Sequence, residues 1–174
     1  ALERSGHAEE AWATLSPALN RGGRDRQLQE AAIDNALLRD DIDLAGRFLA
    51  KLAAKRPNDL RAWRDAAQKL VDTGQGGTAV SLLRVAASRA EAPALLHVEV
   101  GRRLLELGRF DEADQAFQRA TAQALSVVEL AKQVRLAFEG VGQKRRLERF
   151  YVGLIAMAPS NKEVARMLGT LRLE

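Results

Sequence analysis

The sequence predicts an all-α chain built from antiparallel helical hairpins, and three observations lead there. Ala, Leu, Arg and Glu dominate while Thr, Tyr and Ile are scarce, so most segments favour helix and few favour strand. Residues at expected helix starts recur at a constant interval: Asn58, Ala92, Ser126 and Ser160 lie 34 residues apart. Gly74, Gly108 and Gly142 keep the same interval, at places where the chain must leave helical dihedrals.

The 174 residues suit one domain or a short repeat array. Hydrophobic residues make up 47% and aromatics only 5%, so the core has to be mostly Ala, Leu and Val. The charge of +4 comes from 27 basic and 23 acidic residues; this small excess of Arg is no nucleic-acid footprint. Cysteine is absent, which excludes disulfides and thiolate metal sites. The longest apolar runs, such as Val152 to Ala158, fall far short of the roughly 18 residues a membrane span requires. The opening Ala1 to Gly6 reads as the end of a helix and no initiating Met precedes it, which implies a piece of a longer protein.

The clearest unit runs from Val100-Gly101-Arg102-Arg103-Leu104 through Leu107-Gly108 to Asp111-Glu112-Ala113 and Ala116-Phe117-Gln118-Arg119-Ala120. A helix ending in Leu-Gly, a short turn, and a second helix opened by Asp-Glu-Ala resembles the tetratricopeptide repeat. With Gly101 at repeat position 8, Leu104 takes position 11, Ala113 position 20, Phe117 position 24 and Ala120 position 27. One step of 34 back places Trp63 at position 4, then Ala67, Leu70, Ala79, Leu83 and Ala86 in the later places. Two steps back give Ala36, Ala45, Leu49 and Leu52, with Pro57 at position 32. Three steps back leave a lone second helix carrying Ala11, Leu15 and Ala18. Going forward, Phe138, Leu147, Tyr151, Leu154 and Pro159 follow, then a last first helix with Ala165, Leu168 and Gly169.

Helices are therefore expected at 8–20, 26–39, 42–55, 59–73, 77–90, 93–107, 110–122, 126–140, 143–157 and 160–172. They group as a partial repeat 1–25, repeats 26–59, 60–93, 94–127 and 128–161, and a final helix 162–174, all in one array. Asn and Ser cap helices because their side chains accept a free backbone N–H; Ser126 with Glu129, and Ser160 with Glu163, have capping-box spacing. Pro93 suits a first helical position. Ala or Gly at positions 8 and 20 lets paired helices approach closely, beside the larger residue at position 24. Arg135 and Leu147 break that pattern in the fourth repeat, so its hairpin should be splayed or shifted, with Gly140 as a give point. The resemblance implies an α-solenoid of hairpins forming a right-handed superhelix.

Catalytic constellations are not in evidence. His7 lies in a turn and His97 at position 4, where Trp63 packs one repeat earlier, so neither has metal-ligand spacing. The serines fall at caps, turns and helix surfaces, and carboxylate pairs such as Asp40/Asp41 and Asp111/Glu112 sit at helix starts, where they complement the macrodipole. Gly74-Gln75-Gly76-Gly77 lacks the Lys-Ser/Thr of a phosphate loop. Lys144-Arg145-Arg146, with Arg149 a turn later, is the strongest basic cluster, read as a solvated turn ahead of an acidic-partner or phosphate site.

The resemblance implies a non-enzymatic scaffold whose first helices line a concave groove. The groove positions single out Arg61, Arg64, Asp65, Gln68, Glu99, Arg102 and Lys132 as partner-binding residues. Glu30 and Asp34 stand where chaperone-binding members carry Lys and Asn for a C-terminal carboxylate, which argues against that ligand. The expected partner is another protein, a folded one or a charged segment, met through dispersed polar contacts. No cofactor, catalytic residue, metal, nucleic acid or direct membrane span is expected; exposed terminal half-repeats permit self-association. RNA binding, or service as the accessory array of an enzyme whose catalytic domain lies elsewhere, is the alternative. The Ala/Leu/Arg-rich, Cys-free repeats resemble bacterial envelope scaffolds such as those of exopolysaccharide export, which favours the periplasm over the cytoplasm.

Overall fold

Ala-rich helices with one apolar face cannot bury that face alone, so each pairs with its sequence neighbour across a short turn. A computed structural model describes residues 2–20, 25–54, 60–72, 74–89, 94–124 and 126–174. Among them are ten α-helices: α1 (Leu2–Asn20), α2 (Arg26–Leu38), α3 (Ile42–Ala54), α4 (Arg61–Asp72), α5 (Gly76–Arg89), α6 (Ala94–Glu106), α7 (Phe110–Gln123), α8 (Val127–Phe138), α9 (Lys144–Met157) and α10 (Lys162–Leu173). The second helices α3, α5, α7 and α9 begin 34 residues apart. Two compact units result, Ala1–Glu91 and Ala92–Glu174.

The turns repeat at atomic detail. Asp40, Gly74, Gly108 and Gly142 all have positive φ, between 58° and 78°. After α2, α4 and α6 the chain closes in the same way: Asp41 N–H donates to Ala36 C=O, Gln75 to Leu70 and Arg109 to Leu104, each at 2.8–2.9 Å. Asp40, Gly74 and Gly108 donate to the carbonyl three residues back. This is a Schellman closure, which satisfies helix-end carbonyls at the cost of one left-handed residue. The turn after α8 departs from it, with both Gly140 and Gly142 at positive φ and Val141 N–H donating to Phe138 C=O at 3.2 Å.

In the first unit the core comprises Ala32, Ile33, Ala36, Ala45, Trp63, Ala67, Leu70, Ala79, Leu82, Leu83 and Ala86, all buried. The first helix departs from the expected register. It is continuous from Leu2, so His7 is helical and exposed instead of lying in a turn. Ala8 is buried while Ala11 is exposed. The reason is polar: the buried Asn35 side chain donates Nδ2–H to Ala8 C=O at 2.7 Å. Arg39 adds an ion pair to Glu9 at 2.9 Å and lies over the Trp12 ring.

In the second unit Gly101, Leu104, Ala113, Phe117, Ala120, Leu130, Val134, Phe138, Leu147, Tyr151, Leu154, Val164 and Leu168 form the core. A Cβ on Gly101 would collide with the Phe117 ring, so α6 and α7 pair more closely than any side chain there would permit. Ser126 caps α8 by accepting from Glu129 N–H at 3.3 Å. Glu129 does not complete a capping box with it; its carboxylate accepts from Gln133 instead. Asn161, not Ser160, caps α10, accepting from Glu163 and Val164 N–H. Asn58, Ala92, Pro57 and Pro93, and the side chains of Leu49 and Leu52, lie outside the described residues.

Candidate functional site

The seven groove residues read from the sequence fall on α4 in the first unit and on α6 and α8 in the second. On α4, Trp63 anchors the inner face and is buried, which turns Arg61, Asp65 and Gln68 outward. Arg61 and Asp65 face each other at 3.6 Å, and Gln68 donates to Asp72 at 2.7 Å. Arg64 is half-buried. Lys69 reaches Asp34 at 2.6 Å and ties α4 to α2. Exposed same-helix pairs contribute about 0.3–0.5 kcal/mol each, so a partner's charges can replace them at little cost.

Glu99 and Arg102 are brought together on α6, but not as two exposed contacts. Glu99 is only 3% exposed and forms ion pairs with Arg102 and with the buried Arg103, which also pairs with Glu106 at 2.9 Å. Glu99 therefore orients Arg102, whose own side chain is 39% exposed. Lys132 on α8 pairs with Glu163 of α10 at 3.3 Å. Periodicity placed these residues on a face, but it carries no information about which side chains their neighbours cover.

A recess of about 430 Å³ opens between α7 and α9. It is lined along α7 by Asp114, Gln118, Thr121 and Ala122, and along α9 by Arg146, Arg149, Phe150, Gly153, Leu154 and Met157. Side-chain size sets the fourth hairpin, α8 with α9, apart from the others. Leu147 stands where Ala45, Ala79 and Ala113 stand in the other hairpins, and Arg135 stands where Gly101 does. Arg135 extends to Glu174 at 2.7 Å instead of packing between α8 and α9. Phe150 occupies the place of Ala116 and sets its ring 6.0 Å from that of Phe117. The α8–α9 hairpin is more open than the other three, and α9 meets α7 over fewer residues than α5 meets α3.

The recess is polarised. At one end Arg146 bonds Asp111 at 2.9 Å and Asp114 at 2.5 Å and lies over the Phe110 ring. The hydrogen bond to Asp111, first, and then the hydrogen bond to Asp114 and the charges of both carboxylates hold its guanidinium above the ordinary value. Arg149 is 70% exposed and stands 3.9 Å from Asp114. The other end is apolar, with Leu154 as floor and Met157 65% exposed. α9 begins with Lys144-Arg145-Arg146, has no acidic residue in its first turn and has no side-chain cap. Basic charge at the positive end of a helix dipole is mutually repulsive, and Asp111 and Asp114 of α7 offset it.

In the sequence, Arg146 and Arg149 read first as a solvated turn and second as an acidic-partner or phosphate site, and no motif singles out Phe150, Gly153 or Met157. The signal was present in two places: an aromatic at 150 where repeat three has Ala116, and a Gly at 153 where it has Arg119.

Among the described residues no three His, Asp or Glu side chains converge as a metal-binding group, and no helix is long and apolar enough to cross a membrane. His97 is half-buried on α6, and burial, then the charge of Arg119, lowers its pKa.

No family model matches the chain, and no curated protein does. Several solved structures are similar to it. TTC0263, a thermophilic TPR protein in Thermus thermophilus, is 18% identical with a TM-score of 0.47, covering 99% of this chain and 94% of that one. MamA is 19% identical with a TM-score of 0.41, covering 80% of this chain and 81% of that one.

Proposed function

We propose that the chain is a non-enzymatic scaffold of tetratricopeptide type that docks other proteins. The observation that supports this best is the open recess between α7 and α9, with an apolar floor and a charged end on a rigid helical frame. Apolar surface left open between two helices, here with Met157 65% exposed, faces water, which is unfavourable unless something covers it. Arg61, Arg64, Asp65 and Gln68 on α4, with Arg102 and Lys132 in the second unit, add polar contacts to partners; Glu99 acts by holding Arg102. A bacterial envelope assembly, such as exopolysaccharide export in the periplasm, is the setting the composition resembles.

Quantitative capture from a lysate of the source cell tests the docking role, with a helical-repeat protein of matched charge as control. Specific enrichment of a small set of proteins is the expected outcome; enrichment no greater than the control's removes the docking reading. Reversing Arg61, Arg64 and Arg102 to Glu tests the first-helix residues, and unchanged capture would withdraw them. Sedimentation velocity on the same chain shows whether a second copy is one of the partners.

A further inference from the structure

Resting on that docking reading, we infer that the α7–α9 recess receives an amphipathic helix of a partner protein, with carboxylates at one end. The apolar stripe of that helix seats on Phe150, Gly153, Leu154 and Met157, and its acidic residues face Arg149.

Length, backbone chemistry and charge lead to this occupant. From Arg146 to Met157 the recess follows about three turns of α9, or roughly 16 Å at the helical rise, so a partner helix of about the same length covers it. Both walls are helices whose backbone groups bond internally, so an extended segment would find no ladder of N–H and C=O groups to join. A helix arrives with its backbone already satisfied and offers side chains at i, i+3/i+4 and i+7. Gly153 presents open space, since nothing lies within 4 Å of where its Cβ would be, which admits a Leu or Phe from the partner. Met157 is flexible and polarisable and adapts to what it covers.

The charge is complementary to acid. Asp111 and Asp114 both engage Arg146, which leaves Arg149 with one contact at 3.9 Å, longer than a hydrogen bond. Lys144 and Arg145 are exposed at the same end, where the N-terminus of α9 adds the positive pole of its dipole. Carboxylates of a partner would extend to Arg149, Lys144 and Arg145 the compensation that Asp111 and Asp114 give Arg146.

Selection from a library of displayed 16-residue random peptides against the whole chain tests the inference. Enriched peptides are expected to share apolar residues at i, i+3/i+4 and i+7 together with Asp or Glu at one end, and to become helical on binding. Gly153→Phe fills the recess and favours helix over Gly, so circular dichroism should match the unaltered chain while affinity for the selected peptides drops at least about tenfold. Arg149→Glu should weaken the same peptides about three- to tenfold, with a smaller loss at high salt. Any one of three results would overturn the inference: no enrichment, enriched peptides lacking the spacing or the acid, or equal binding to Gly153→Phe. Lysate capture that survives Gly153→Phe would remove this recess and leave docking to other surfaces. Loss of capture by the unaltered chain removes the docking reading itself.

Discussion

Single residues determine how closely helices meet and where the chain turns. A methyl group at 101 runs into the Phe117 ring, and that ring is flanked by Phe138 and Phe150, so it has little room to yield. Gly101→Ala should therefore cost about 1–3 kcal/mol in urea unfolding, as overpacking does. Gly153→Ala should have the opposite sign, a gain of up to about 1 kcal/mol, because its surroundings are open and Ala is the better helix former. Asp40 alone of the four turn residues carries a Cβ at positive φ; Asp40→Gly should add up to about 1 kcal/mol by relieving that conformation. His97 makes one contribution to the pH dependence of stability. Its native pKa lies below the ordinary 6.5, so the unfolded state binds more protons as the solution acidifies. Stability should thus fall as pH drops through the ordinary imidazole value towards the depressed native one. His97→Gln should flatten the urea midpoint between pH 7.5 and 5, and an unaltered slope would assign the dependence elsewhere.

Whole helices are placed by the contacts these residues allow. Among the described residues a buried hydrogen bond, Asn35 to Ala8, ties α1 to α2, reinforced by Arg39 between Glu9 and Trp12. Asn35→Ala removes the donor and leaves the Ala8 carbonyl without it, a loss of about 1–3 kcal/mol. Because α1 packs on α2, the amides of α1 should exchange with solvent faster while those of α4 and α5 stay protected; uniform acceleration across the unit would contradict a local role. At the other end of the chain α9 meets α7 over few residues and is still anchored. Leu147, Tyr151 and Leu154 are all buried, and its first turn is held by Asp111 and Asp114 across the recess.

For the molecule as a whole, two compact units each carry a core of their own. Trp12 and Trp63 both belong to the first unit, and the single Tyr, Tyr151, to the second. Tryptophan fluorescence therefore reports unfolding of the first unit while far-ultraviolet dichroism reports both. In Gly101→Ala, whose strain lies in the second unit, the dichroism midpoint should fall further than the fluorescence midpoint. Coincident shifts would show that the chain unfolds in a single cooperative step.

The period, and everything local that follows from it, is written in the order of residues along the chain. Helix content, the 34-residue step and the left-handed turns at 74, 108 and 142 could be read directly, because propensity and turn geometry depend on a few adjacent residues. Even the disturbance at Arg135 and Leu147 was legible as two large residues where small ones recur. Where the large side chains go is a matter of packing between distant parts of the chain: Arg135 reaches Glu174, and Phe150 lies against Phe117 beside the recess. That packing likewise decided that Glu99 is covered and that Ala8 replaces Ala11 in the core. Periodicity assigns a residue to a face of its helix. Burial depends on what stands opposite that face, and that depends on the sizes of side chains far away in the chain.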